Sequence, residues 1–410
     1  MSSFIKDFIE RETLNRRNFL FAAAAGLGTV AIPGVFGRGG ALAALSDPAI
    51  AWSYRDRASA YWNSVVSGGE AFVESLGRPK TALVSLINEG STEKSLADIK
   101  AFLAKSNGNC AIACDPNDSP NARPVVEAVQ AAGGFISTIW NKTDDLHPWD
   151  FGDNYVSHMT WSDEKPAEET ARILFEAMGG EGGVVHLGGI AANNPAVERL
   201  NGLKNALKDF PNIELLDAQP ADWDTQKGAA LMSSFLTRYG DKIKGVHCAA
   251  DNIAYGVIEA LRAEGIENMP IVAYDGNPEA VQMVMEGQLL ATVFTNPHWG
   301  GGISAALAYH AAIGTFKPSE EPKEHREFYV EKTGSGRSGV NYTMTEKGIE
   351  VTDRYAEVRR SLLSNAISSI PNLHHRLEET TRTLDLMTGI YEHAALSAAT
   401  HRRLPKVAIR

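Results

Sequence analysis

From Val246 to Pro297 the chain alternates short apolar runs with amphipathic stretches. Val246–Ala249, Pro270–Tyr274 and Leu289–Phe294 are apolar, and each run leads at its C-terminal end into a polar residue: Asp251, Asp275 and Thr295. Between them, Asn252–Glu264 and Pro278–Glu286 place apolar residues three and four apart, the spacing of one helical face. Strand, helix, strand, helix, strand predicts a doubly wound parallel sheet. Ligands of such sheets sit beyond the carboxyl ends of the strands. Asp251, Asp275 and Thr295 are therefore expected to line one crevice.

The same alternation runs upstream. Ala49–Tyr54, Thr81–Ile87, Asn109–Cys114, Gly134–Trp140 and Tyr155–Met159 read as strands, and Gly182–Leu187 as another. Helical spacing covers a segment opening at Tyr61 and ending near Gly77, then Thr92–Lys105, Ala122–Ala132, Pro166–Met178, Pro195–Phe210 and the Ala/Gly-rich Trp299–Gly314. Glu327–Val330 reads as a last strand. The fold class is α/β, with two doubly wound parallel-sheet lobes. The expected division is a first lobe over 48–159 plus 297–327 and a second over 160–295 plus 330–345. Gly188-Gly189 follows a strand, but neither G-x-G-x-x-G nor G-K-[ST] occurs, so a phosphate or dinucleotide site is not indicated.

The two ends differ from the body. Residues 1–43 contain Arg16-Arg17, a short Ala/Gly-rich apolar run over Phe21–Val35, and Ala41-Leu42-Ala43. Paired arginines, a modest apolar region and a small-x-small site together read as a twin-arginine secretory signal. The run is too short, and too broken by Gly26, Gly28, Pro33 and Gly34, for a membrane span. At the other end, 366–410 is a C-terminal extension. Its Leu373, Leu377, Leu384, Met387 and Tyr391 lie at helical spacing, which fits either a peripheral helix or a tail.

Charge and chemistry narrow the function classes. The formal net charge is −11, and the basic head makes the remaining body more acidic still, which argues against nucleic acid as partner. Cys110 and Cys114, four apart on a strand, stand roughly 13 Å from each other at about 3.3 Å per residue, too far to bridge. With Cys248 they read as buried free thiols. No metal-ligand spacing and no G-x-S-x-G appear, and His158, His186 and His247 lie within strands rather than at their ends. No cofactor and no catalytic residue are expected.

Three stretches carry a family resemblance: A-A-D-N-I-A-Y-G from Ala249, V-A-Y-D-G-N-P-E-A-V from Val272, and G-Q-L-L-A-T-V-F-T-N-P from Gly287. They resemble the second lobe of the periplasmic sugar-binding proteins of ABC transporters, in particular the ribose-binding-like group. The resemblance extends over roughly 48–345. It implies a two-lobe protein whose chain crosses three times between lobes, forming a hinge that closes on a ligand.

The resemblance also nominates site residues. Tyr61 and Trp62 match an aromatic pair that stacks on the sugar. Flat rings cover the C–H faces of a sugar while planar polar groups take its rim hydroxyls. Adjacent helical residues cannot both face a core, so at least one should line the cleft. Trp223, in Gln219-Pro220-Ala221-Asp222-Trp223-Asp224, matches the stacking aromatic of the opposite lobe. Where the family has an acidic residue followed by arginine, this chain has Asn141-Lys142, and Asn141 keeps both donor and acceptor. At the family's sugar-binding arginine the alignment gives Val197, so Asn193 or Asn194 either supplies the polar contact or caps a helix. Asp275 matches an acidic ligand. Asp251, preceded by Ala250 where the family has asparagine, either faces the crevice or caps the next helix. Thr295 stands where a glutamine often closes the site. Lys142, Val197 and Thr295 depart from the family pattern and point away from ribose, toward another aldose, a sugar alcohol or a cyclitol.

The resulting expectation is a monomeric periplasmic protein exported by the twin-arginine route. It binds a neutral sugar or polyol, presents it to an ABC permease, and does no chemistry. The alternatives are an exported carbohydrate enzyme of the same fold, and a sugar-responsive regulator, which would need a basic DNA-binding head in place of the signal.

Overall fold

The computed structural model describes residues 44–330. The expected signal segment (1–43), the expected return of the chain into the second lobe (330–345, beyond Val330) and the expected C-terminal extension (366–410) lie outside the described residues. Two parallel sheets form the frame. The first is built from β1 (Ala49–Tyr54), α1 (Ala60–Ser75), β2 (Leu83–Ile87), α2 (Thr92–Ser106), β3 (Cys110–Cys114), α3 (Ala122–Ala132), β4 (Phe135–Ile139) and β5 (Tyr155–Trp161). The second comprises α4 (Glu164–Ala177), β6 (Glu181–Gly188), α5 (Asn194–Leu207), β7 (Asn212–Pro220), α6 (Thr225–Tyr239), β8 (Ile243–Cys248), α7 (Asp251–Ala263), β9 (Ile271–Val272) and α8 (Pro278–Met285). The chain then returns through α9 (Pro297–Ala312) and α10 (Lys323–Arg326) to β10 (Glu327–Val330), which pairs with β5.

Every position of β3, β4 and β5 is buried, as expected of strands covered by helices on both faces. The first sheet runs β10-β5-β4-β3-β1-β2 and the second β7-β6-β8-β9. Strand order therefore reverses between β1 and β3 in one sheet and between β6 and β8 in the other. Those are the switch points at which such sheets open a crevice.

Two features depart from the sequence reading. The β7 strand and the α6 helix were not foreseen. β7 lies at a sheet edge, where its Asn-Ile-Glu-Leu-Leu-Asp pattern is partly exposed and a terminal proline is tolerated. Conversely, Leu289–Phe294 forms isolated bridges, Val272 with Ala291 and Asp275 with Phe294, rather than a full strand. Asp275 adopts φ 119°, and the Thr292 hydroxyl takes the Gly276 N–H, so the ladder breaks at that point.

Helix α9 packs on the first sheet beside α1. The Trp52 indole donates to the Gly301 carbonyl at 3.0 Å. A Cβ on Gly301 would lie 1.8 Å from the Val65 carbonyl oxygen, so the two helices can approach only through glycine. Gly301→Ala is expected to destabilise by about 1–3 kcal/mol, read as a lowered urea midpoint with unchanged slope. A midpoint equal to that of the wild type would refute the close packing.

Candidate functional site

The carboxyl ends of the two sheets face each other across a cavity of about 70 Å³, several times the roughly 10–15 Å³ that one water needs. The first lobe supplies Arg55 after β1, Tyr61 and Trp62 at the start of α1, Asp115 after β3, and Trp140 and Asn141 after β4. The second supplies Asn193 after β6, Arg199 on α5, Trp223 after β7, Asn252 on α7 and Asp275 after β9.

Six of the eight nominated residues meet here: Tyr61, Trp62, Asn141, Asn193, Trp223 and Asp275. Tyr61 and Trp62 pack edge to face, with ring centroids 5.1 Å apart. The Trp140 indole donates to the Tyr61 hydroxyl at 2.6 Å and stacks on Trp161. Trp223 stands in the opposite jaw, its indole N–H donating to Asn193 Oδ1 at 2.6 Å. A Cβ on Gly189 would fall 1.9 Å from the Trp223 ring, so the Gly-rich turn after β6 makes room for that indole. Asn193 in turn donates to the Asn117 carbonyl in the other lobe at 2.6 Å.

The other two nominated residues do not line the cavity. Asp251 is fully buried at the first turn of α7, where its carboxylate accepts from the Thr292 hydroxyl (2.6 Å) and the Asn277 N–H (2.7 Å). Its work is to tie α7 to the segments after β9, not to face the crevice. Thr295 is buried beneath the site, its hydroxyl directed to the Asp275 carbonyl at 3.4 Å. Val197 lies on the exposed side of α5, 49% accessible. Two residues on, Arg199 occupies the cavity instead. Lys142 is turned away, paired with Glu327 at 2.9 Å, while Asn141 donates to Asp115 Oδ1 at 2.8 Å.

Arg199 is the electrostatic centre. Its guanidinium is buried and pairs with Asp163 at 2.8 Å and with Asp275 at 3.5 Å. It donates to the Ala249 carbonyl at 2.6 Å. The guanidinium carbon lies 3.8 Å from the Tyr274 ring centroid and about 5.5 Å from Trp140 and Trp223, within cation–π range. Burial opposes its charge, but the adjacent carboxylates outweigh burial and hold it protonated.

Sequence reasoning missed Arg55, Asp115, Trp140 and Arg199. The first two follow their strands directly, and the strand-end rule used in the second lobe would have found them in the first. Arg199 needed helical phase as well as alignment. Several residues at the cavity hold a left-handed backbone: Asn117 (φ 70°), Trp140 (63°), Trp223 (61°) and Asp275 (119°). For residues other than glycine this is strained, and such strain gathers at functional sites.

Asp115 is pushed up to about 7 by burial, against the pull of hydrogen bonds from Asn141 and Asn117 and of the Arg55 charge, with Asp118 adding to the rise. A carboxyl raised in the folded state binds its proton more tightly there, so its contribution to stability falls as pH rises from about 4 to about 7 and is level above. Asp115→Asn should remove that component. The difference in unfolding free energy between variant and wild type should grow by about 1.4 kcal/mol per pH unit in that window. A constant difference between pH 5 and 7 would refute the shift.

Among the described residues no three His, Cys, Asp or Glu side chains converge as a metal site, and no helix is long and apolar enough to cross a membrane. The three cysteines are buried and free. The acidic loop after β4 folds against the first lobe. Its Trp149 stacks on His147 and lies 4.5 Å from the Lys323 ammonium, and Phe151 is buried.

Comparison with known proteins fits this geometry. Residues 50–315 match the model of the periplasmic binding protein domain. The D-allose-binding periplasmic protein of Escherichia coli is 30% identical over 240 residues, 58% of this chain and 76% of that one. The ribose import binding protein of Salmonella typhimurium is 28% identical over 249 residues, 60% of this chain and 79% of that one. A crystal structure of a twin-arginine translocation pathway signal protein from Burkholderia phytofirmans superimposes with a TM-score of 0.68 at 42% identity, covering 77% of this chain and 94% of that one. With two parallel-sheet lobes, a cleft at their switch points and a family match over most of its length, the chain belongs to the periplasmic binding proteins.

Proposed function

We propose that this protein captures a neutral sugar or polyol in the cleft between its lobes and hands it to an ABC permease. The observation that carries the reading is the pair of aromatic jaws, Tyr61 and Trp62 against Trp223, closing on a rim of Asn141, Asn193, Arg199 and Asp275. Apolar faces and hydroxyl-matching polar groups at one small cavity suit a monosaccharide-sized ring. The relatives named for allose and ribose support the same class of ligand. The lobes touch through hydrogen bonds such as Ser119 Oγ to Asn194 Oδ1 at 2.7 Å. Closure about the interlobe crossings as a hinge would present both surfaces to a permease. Binding without turnover accounts for the cleft, and the paired arginines of the head, Arg16-Arg17, support export by the twin-arginine route to the periplasm.

A thermal-shift screen of the chain from Ala44 tests this, with D-ribose, D-allose, L-arabinose, xylitol and myo-inositol among the probes. A ligand at about a hundred times its Kd adds about 2.7 kcal/mol to stability, a clear rise in Tm. No shift with any carbohydrate or polyol would overturn the reading. Trp223→Ala and Asp275→Asn should each cost about 1.5–3 kcal/mol of binding free energy while leaving the ligand-free fold intact. Wild-type titration curves for both variants would move the site elsewhere.

A further inference from the structure

In the family this chain resembles, an acidic residue and the arginine after it, at the end of the fourth strand, take sugar hydroxyls; here Asn141 and Lys142 stand there, and together they no longer make a carboxylate–guanidinium pair. Lys142 is committed to Glu327 at 2.9 Å, and the Asn141 side chain is held between Asp115 and the Asn194 N–H. Yet a carboxyl and a guanidinium do stand on the cavity wall, supplied by other strands. Arg55 directly follows β1 and Asp115 directly follows β3. Those strands are neighbours in register, Ser53 opposite Cys114, and the Asp115 N–H donates to the Ser53 carbonyl at 3.0 Å. By that register Asp115 falls opposite Tyr54, one residue before Arg55, and both Arg55 and Asp115 line the cavity at the switch point of the first sheet, where a ligand is expected.

Arg55 has a further mark. Its Nη2 donates across the cleft to the Asp222 carbonyl at 2.8 Å. Its Nη1 is buried with no hydrogen-bond partner among the described residues. A buried N–H of a charged group without an acceptor is costly, and an acceptor oxygen of a ligand in the adjoining cavity would relieve that cost.

We infer that Arg55 and Asp115 form the pair that recognises adjacent hydroxyls of the ligand, replacing the pair lost at Asn141-Lys142, and that they set which sugar or polyol is bound. Arg55 donates to one oxygen and Asp115 exchanges a hydrogen bond with its neighbour, so the ligand carries a vicinal diol at this wall. Because Arg55 also reaches Asp222, diol recognition and lobe closure act through one side chain. This inference rests on the sugar-binding reading above.

Titration calorimetry of the purified chain from Ala44 tests it. The probes are D-ribose, D-allose, L-arabinose, xylitol and myo-inositol, followed by monodeoxy analogues of whichever binds tightest. Arg55→Met and Asp115→Asn should each weaken that ligand at least tenfold. The monodeoxy analogue lacking the oxygen held by Arg55 should lose at least tenfold on the wild type yet bind Arg55→Met as well as the parent does, and the analogue lacking the neighbouring oxygen should do the same with Asp115→Asn. Apo unfolding midpoints establish that the variants fold, with Arg55→Gln replacing Arg55→Met if that one does not. Variants that bind like wild type, while Trp223→Ala does not, would overturn this inference and leave the binding-protein reading standing. Weaker binding with deoxy discrimination unchanged would also overturn it, since the pair would then only support the lobes. A wild type that binds none of the probes would overturn both.

Discussion

Replacing Arg199 with methionine should lower the unfolding free energy by about 3–5 kcal/mol, the cost of leaving buried charges without their partner, and should abolish ligand-induced stabilisation. The guanidinium stands against two carboxylates, Asp163 at 2.8 Å and Asp275 at 3.5 Å, and Asp163 is completely buried. Methionine fills similar volume but strands both carboxylates and the Ala249 carbonyl. Lysine would not rescue fully. A compact ammonium cannot bond Asp163 and Ala249 while lying flat over Tyr274, 3.8 Å from the ring centroid, because those contacts use the planar fork. Asp163 follows β5 and precedes α4, so the network also braces one crossing between the lobes. Urea unfolding of wild type, Arg199→Met and Arg199→Lys decides the point. A loss under about 1 kcal/mol for methionine, the scale of an exposed pair, would show that the network contributes little.

Acid should destabilise the protein as pH falls below about 6.5. His158, His186 and His247 are buried within strands. Burial lowers His247 to about 4 and drives His158 and His186 well down, with the Lys142 charge adding to the effect at His158 and the neighbouring ring at His186. His186 and His247 face each other Nδ1 to Nδ1 at 2.9 Å, a bond that needs one ring to donate and the other to accept, so a second proton breaks it. With folded values depressed, the unfolded chain binds more protons below about pH 6.5, so stability is lost as pH falls from there toward 4. Each such histidine contributes a slope of about 1.4 kcal/mol per pH unit. Three together give about 4, reduced by the opposite trend of the raised carboxyls of Asp115 and Asp251. Urea midpoints at pH 7, 6, 5 and 4.5 should drop steeply below 6, and His247→Asn should shallow the slope. A stability level from pH 7 to 4.5 would show that these rings accept protons without strain.

The alternation of apolar runs and amphipathic stretches gave away the fold because both determinants are local. A strand covered on both faces is largely apolar, as β3 is throughout, and a helix packed on a sheet must carry one apolar stripe. The β7 strand escaped because a sheet edge relaxes that demand. The same locality revealed strand-end residues such as Asp275, since direction along a strand follows from sequence order.

What the sequence by itself determined is the α/β alternation, the two lobes, and which ends of the strands face the cleft, with Tyr61, Trp62 and Trp223 but not Trp140 among its aromatic residues. Tertiary structure decided which polar groups at those ends turn toward the cavity. Asp251 finds the Thr292 hydroxyl and the Asn277 N–H and leaves the crevice, Lys142 finds Glu327, and Arg199 rather than Val197 meets Asp163 and Asp275. The physical reason is that a buried polar group goes wherever its hydrogen bonds and charge are satisfied. Those partners come from segments far apart in the chain, which only folding brings together.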